Sequence, residues 1–251
     1  MTAYPVLVRS SYKTYTRDRV TVFFTFAFPL MFLVIFGLIY GDDEVVGTGN
    51  SYIDLIAPGI LAWGLAHAAA FGVAFPVMQW RRDDLLRLIR LTPAPLSEVV
   101  LSRLTMVVGI GLAQVALFLG VAMLPPFGMT VSGRWPLAIP VLVLGIGAFV
   151  GLGLIIGTIG RSPESVSGIG TCIVVPMAFL SGALIPLEMF PDWLAGVSYA
   201  MPMRYILDGL VYALAGAGEA GDYWISLGVL AVLTALFNAI GMRIFRWSDD
   251  Q

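Results

Sequence analysis

Six separate apolar runs, each long enough to cross a bilayer as a helix, constrain this chain more than any other feature. They are Val20–Tyr40, Leu55–Met78, Val99–Leu124, Pro136–Gly160, Val166–Leu187 and Trp224–Phe245. About 20 mainly apolar residues in helical form span the hydrocarbon core, and a helix satisfies its own backbone polar groups where no water is present. A soluble fold that buried all six runs fails on composition. The 251 residues are 59% hydrophobic and 12% charged, against roughly 45–50% and about 25% in a soluble domain. So few charges cannot cover so much apolar surface. The expected fold is therefore an all-α integral membrane protein with six transmembrane helices, forming a single transmembrane domain over residues 1–251. Soluble enzymes, secreted disulfide scaffolds and disordered tails are excluded. Val20–Tyr40 is too long for the apolar part of a signal peptide and lacks a small-x-small exit, so it reads as a retained span.

Six spans place both termini on one side, and basic residues choose which. With the termini in the cytoplasm, only Arg134 and Arg204 of the 14 Lys and Arg residues fall outside. The expected location is thus the cell (plasma or inner) membrane, with both termini cytoplasmic. Tyr40, Trp80, Trp135, Trp193, Tyr223, Trp224 and Trp247 lie at or just beyond span ends, where amphipathic rings prefer the interface. Two segments do not fit the simple spans. In residues 1–19, Tyr4, Leu7, Val8, Ser11, Tyr12 and Tyr15 recur at helical spacing between Arg9, Lys13 and Arg17. That pattern suits a cationic helix lying on the inner leaflet. Residues 188–222 hold a shorter apolar stretch broken by Pro191, Pro202, Asp192, Arg204 and Asp208. They read as one or two short half-inserted, re-entrant helices.

Several chemistries are missing. A P-loop requires Gly-x-x-x-x-Gly-Lys-[Ser/Thr], since a lysine must reach the phosphates. The only lysine is Lys13, and Tyr12 stands where the glycine belongs. An ATP-driven version of this chain needs a separate motor. Cys172 and His67 are each the sole residue of their type, so a Cys-rich or two-His metal site is not expected. Gly196-Val197-Ser198-Tyr199-Ala200 only superficially resembles a nucleophile turn, and no enzymatic role is expected. Nothing points to a nucleic-acid partner. At membrane depth the polar groups are His67, Gln114, Asn238 and, near an edge, Asp54. No chain of carboxylates exists to relay ions. His67 and Gln114 are the candidates for a substrate path, with hydrogen bonding between helices the ordinary alternative. In the fourth span Gly147–Gly151 and Gly153–Gly157 form two Gly-x-x-x-Gly steps, which permit close helix approach. Cys172 reads as a small apolar side chain at lipid depth.

The most informative stretch comes after the second span. Composition changes abruptly at Arg81-Arg82-Asp83-Asp84, and Leu85, Leu88 and Ile89 then share a face with Arg87 and Arg90 between them. Acidic residues early and basic ones late match the helix dipole, and Pro93 and Pro95 end the pattern. The loop 79–96 thus holds a short amphipathic helix beneath the membrane, placed to receive force from a cytoplasmic partner. Near the end of the fifth span, Gly182 and Pro186 weaken a regular helix, and Pro191 and Pro202 divide the outer segment into short pieces. Arg204 and Asp208 stand four residues apart, a spacing that pairs side chains. Ionisable groups in such a segment are either a structural pair or functional.

The motifs Leu86-Arg87…Leu91-Thr92-Pro93 and Phe179-Leu180-Ser181-Gly182…Pro186…Pro191-Asp192-Trp193-Leu194…Pro202-Met203-Arg204-Tyr205 resemble the ABC-2 type permease family, especially its small daunorubicin-resistance-like drug exporters. The resemblance covers essentially the whole chain. It departs at Asp84, where the family usually has glycine, and at Arg82, which is often acidic. It implies an N-terminal interfacial helix, six spans and a coupling helix carrying Arg81, Arg82, Asp83, Asp84, Leu85, Arg87, Leu88, Arg90, Thr92 and Pro93. It also implies an outer gate at Gly182, Pro186, Pro191, Trp193, Pro202, Arg204 and Asp208. The implied partners are a cytoplasmic ATPase subunit that binds ATP and Mg, a second permease copy or a similar permease, and membrane lipids. The implied activity is export of a lipophilic or amphipathic drug, lipid or glycolipid by alternating access. An ion-coupled secondary transporter or pore is the alternative.

Overall fold

The computed structural model describes residues 4–40, 51–83, 96–125, 127–185, 187 and 190–245. Among them the chain is helical, with α1 Tyr4–Arg17, α2 Arg19–Tyr40, α3 Tyr52–Arg82, α4 Leu96–Ala122, α5 Ala138–Ile159, α6 Pro163–Leu180, α7 Asp192–Ser198, α8 Pro202–Leu210 and α9 Ala220–Ile244. A 3-10 turn, Trp135–Leu137, leads into α5, and a π turn, Val211–Ala215, ends α8. Six helices are long and apolar enough to cross a membrane: α2, α3, α4, α5 with its leading turn, α6 and α9. These correspond to the six apolar runs.

One end differs from expectation. The fifth apolar run continues to Leu187, yet α6 stops at Leu180. Gly182 takes φ +86°, the left-handed conformation that glycine alone adopts readily. A Cβ there would also meet the Leu187 side chain at 2.7 Å. Hydropathy continues through the turn because the loop itself is apolar and packed: Ala183 and Leu184 are buried.

α3 is the hub of the bundle. Its buried positions run from Ile53 to Met78 around all sides of the helix, as expected of a helix surrounded by others. At 31 residues it is about 46 Å long by the 1.5 Å rise per residue, longer than a ~30 Å hydrocarbon core.

α5 packs between α3 and α9, and its two glycine motifs face opposite neighbours. A Cβ on Gly153 would collide with the carbonyl of Ala70, and one on Gly157 with that of Ala74, both on α3. On the other side, Gly147 abuts Thr234 and Gly151 abuts the Phe237–Asn238 backbone of α9. Hydrogen bonds reinforce that second contact. Thr234 Oγ1 donates to the Leu144 carbonyl at 2.9 Å, and Asn238 Nδ2 donates to the Gly147 carbonyl at 2.9 Å. Backbone proximity, side-chain packing and hydrogen bonds between helices are what hold helices together once lipid removes the hydrophobic drive.

The remaining helices are held on fewer sides. α6 buries Val166, Gly170, Val174 and Ala178, a single stripe at four-residue spacing, and leaves Cys172 exposed on its open side. α2 exposes Phe23, Phe24, Met31, Ile35 and Leu38, a surface that suits lipid or another apolar helix.

Candidate functional site

Three places in the bundle carry the residues expected to matter. The first is the end of α3. Arg81 donates through Nη1 to the Thr158 carbonyl at the end of α5, so the start of the expected coupling segment is bonded to the α3–α5 pair. Arg82 and Asp83 are exposed. Asp83 closes α3, its amide donating to the Gln79 carbonyl at 2.9 Å. Asp84, Leu85, Arg87, Leu88, Arg90, Thr92 and Pro93 lie outside the described residues.

Close by, Arg103 of α4 donates through Nη2 and Nε to the Gly72 carbonyl of α3 at 2.9 and 3.2 Å. In the sequence this residue serves only as a topological cation. In the structure it is half-buried, and it bridges two helices.

The second place is the opposite end, where α3, α5 and α9 begin and α6 ends. Pro191 precedes α7, and Pro202 occupies the first turn of α8. There a missing N–H costs nothing, because first-turn amides have no helical partner. Arg204 and Asp208 form the expected pair on α8, Nε to Oδ2 at 3.3 Å. The guanidinium is further engaged. It donates to Ser198 Oγ on α7 and stands 3.9 Å from the centroid of the Tyr199 ring. Tyr205 Oη donates to the Tyr199 carbonyl at 2.6 Å. Arg204 thus ties the α7–α8 corner together. Gly59 of α3 lies against the Ala183 backbone after the Gly182 turn. Pro186 lies outside the described residues. Trp193, Trp135 and Trp224 are all more than half exposed and sit at this same end, as interfacial rings do.

Asp54 organises this end too, a role its edge position in the sequence does not reveal. It is buried, and its Oδ1 accepts from the Thr130 amide at 2.8 Å. Its Oδ2 accepts from Thr130 Oγ1 at 3.2 Å and from the Ser51 amide at 3.1 Å. One carboxylate thereby caps α3 and pins the α4–α5 connection. Its recognisable signal is Ser51-x-x-Asp54, the spacing of a capping box.

The third place is the face of α3 that carries His67. The rings of His67, Phe71 and Phe75 succeed one another at four-residue spacing, with centroids 4.4 and 5.7 Å apart. This repeat is visible in the sequence once His67 is singled out. Phe71 reaches Gly170 of α6. Trp63, one turn before His67, continues the row, and Phe28 and Phe32 of α2 pack on it at 5.4 and 5.0 Å. The recess at His67 holds only 10 Å³, about one water molecule.

Gln114 borders the same part of the α2–α3 seam. It is 2% exposed and abuts Gly64 and Pro29 between α2, α3 and α4, its Nε2 being 2.7 Å from where a Gly64 Cβ would stand. Neither of its amide atoms has a hydrogen-bond partner among the described residues. Among the described residues it forms no bond between helices. Pro29 and Gly64 lie beside Gln114 and also line the His67 recess.

An all-helical bundle with six apolar helices of crossing length defines a multi-pass membrane protein. Residues 2–215 match the model of the ABC-2 type transporter family, and the chain belongs to that family. It is 25% identical over 263 residues to a putative transport permease, ycf38, of Cyanophora paradoxa, covering 96% of this chain and 87% of that one. It is 24% identical over 216 residues to the inner membrane transport permease YadH of Escherichia coli K12, covering 84% and 81%. Nodulation protein J of Sinorhizobium fredii is 29% identical over 182 residues, covering 69% and 67%. The relatives with transport in their names are permeases, so the chain is read as a membrane permease of an ABC exporter.

Proposed function

We propose that the chain is the non-catalytic membrane subunit of an exporter driven by separate ATPase subunits, moving a lipophilic or amphipathic drug, lipid or glycolipid outward. Membership of the ABC-2 family across most of the chain carries this reading. The lack of a P-loop lysine in its proper setting assigns ATP and Mg to the partner. Both termini face the cytoplasm, and Arg81–Pro93 is the coupling surface.

The geometry supplies a route for force. Arg81 joins this surface to Thr158. Glycine contacts join α3 to α5 and α5 to α9. A push at the coupling surface then moves α3, α5 and α9 as one slab, while α6 and α2, held on fewer sides, change neighbours. Rigid-body motion of this kind opens one side as it closes the other. The recess at His67 is far too small for cargo, since ligand pockets run to about 300–1,000 Å³. A path therefore forms between two copies, or between this chain and a similar permease, with His67, Phe71 and Phe75 on its wall. The α7–α8 corner, residues 188–222, is the re-entrant outer lip.

The test is purification from mild detergent and then ATP-dependent transport in vesicles. A P-loop ATPase recovered in stoichiometric amount, and flux that stops without ATP, support the reading. Solute movement by the chain alone without ATP overturns it in favour of a secondary transporter or pore. Exchanging Arg87 and Leu88 for glycine should abolish ATP-dependent flux while the bundle stays folded.

A further inference from the structure

α1 packs along α4 and only lightly against α2. A groove of 430 Å³ runs between α1, α2 and α4, within the ~300–1,000 Å³ range of ligand pockets. Its walls include Val8 and Tyr12 of α1, Val22 and Phe26 of α2, and Met106 and Gly109 of α4. α1 is tethered at both ends. Tyr4 Oη and Thr105 Oγ1 of α4 are 2.7 Å apart, and Asp18 caps α2 through Thr21. The groove lies between these tethers, beside the beginnings of the α2 and α4 spans, at the edge of the hydrocarbon layer.

Its rim is mainly basic, with three cations to the one carboxylate of Asp18. Arg9, Lys13 and Arg17 each come directly after a groove-lining residue, Val8, Tyr12 or Thr16, so they form a parallel stripe about 100° further round the helix. All three are exposed. Among the described residues no carboxylate lies within ion-pair distance of them. A mainly apolar groove with a net basic rim, at the depth where acyl chains meet head groups, is complementary to one class of molecule. We infer that the groove is a binding site for an anionic phospholipid, with an acyl chain in the space bounded by α1, α2 and α4 and its phosphate on the Arg9–Lys13–Arg17 stripe. Its binding is independent of whether an ATPase drives transport.

Gly109 provides the means to test this. A Cβ built on it meets nothing within 4 Å, so Gly109→Leu places a side chain in the groove without a clash at its root. The full chain, in detergent, is titrated with phosphatidylglycerol, with phosphatidylcholine of the same acyl chains, and with inorganic phosphate. Bound lipid is counted by native mass spectrometry. One phosphatidylglycerol per chain is expected, with phosphatidylcholine at least about tenfold weaker and phosphate alone not retained. Gly109→Leu should abolish retention. Replacing each of Arg9, Lys13 and Arg17 by Gln should weaken it about fivefold per cation, from the attraction of one basic residue to an anionic surface. Equal binding of both lipids, or retention unchanged in Gly109→Leu, overturns the site. Should Gly109→Leu fail to fold, the unaltered protein decides. An anionic lipid with a photoreactive acyl chain should label α4 between Thr105 and Ala113, and labelling confined to other helices refutes the proposal.

Discussion

Replacing Gly153 by alanine tests the slab directly. The added methyl would collide with the Ala70 carbonyl oxygen and lie 3.1 Å from both the carbonyl carbon and the Cα of that residue. These are backbone atoms in the middle of a buried helix, so no side-chain rotation relieves them. Restoring ordinary contact requires α3 and α5 to separate by about one ångström, and a gap of that size forfeits about half of each dispersion contact along the seam. Overpacking of well-packed cores costs about 1–3 kcal/mol, and this site belongs at the upper end because both partners are rigid. The control is Gly120→Ala in α4, where a Cβ meets nothing within 4 Å. That change should be neutral, or stabilising by up to about 1 kcal/mol through helix propensity. Thermal unfolding in detergent, monitored by tryptophan fluorescence, compares the two. A Gly153→Ala midpoint equal to that of Gly120→Ala would refute the claim that backbone contact joins α3 to α5.

Individual contacts give further expectations. Asn238→Leu removes the donor to Gly147 and should destabilise the bundle by about 0.6 to 1.7 kcal/mol, the measured range for bonds between membrane helices, read in the same assay. Asp54→Ala removes the buried carboxylate that accepts from the Thr130 amide and should cost about 1.5–3 kcal/mol, as for a hydrogen bond to a charged group; faster protease cleavage in the 123–134 connection would report it. Thr21 donates to Asp18 through both its hydroxyl and its amide, which holds the carboxyl below the usual carboxylate range. A lowered folded-state value means the cap is fully stabilising above the ordinary carboxylate pKa and is lost as pH falls through the depressed one. Hydrogen exchange at the start of α2 should therefore quicken below about pH 4, and Asp18→Asn, itself a good cap, should abolish that dependence. Phe71→Ala opens the wall against Gly170 and should change which solutes are carried more than it changes stability, as measured by vesicle transport with a panel of amphipathic dyes.

The six spans were legible because lipid imposes a length and an apolar composition that survive any packing arrangement. The end of the fifth was not, since Ala183 and Leu184 are as apolar as the helix before them and only the conformation of Gly182 separates the two. The spacing Gly147–Gly151 and Gly153–Gly157 announced close contacts. At about 100° per residue the two pairs fall on different faces of the helix, yet the spacing did not announce which helix meets each face, because that depends on how the spans are arranged. Arg103 was read from its charge alone, which hid its second role, since a carbonyl acceptor such as Gly72 leaves no trace in a sequence. Gln114 was found by its polarity, while its lack of a partner is a property of three helices meeting.

The position of α9 against the second glycine face of α5 also sets an order on how the molecule is made. α5 leaves the ribosome with one partner, α3, already in place. Its other face, with the Leu144 and Gly147 carbonyls, waits for Thr234 and Asn238, which are synthesised last of the described contacts. Until then a groove of bare backbone faces lipid or a wrong helix. The final helix therefore acts as a clasp, and a chain stopped before residue 220 would expose the very surface by which a membrane protease could recognise it as unfinished.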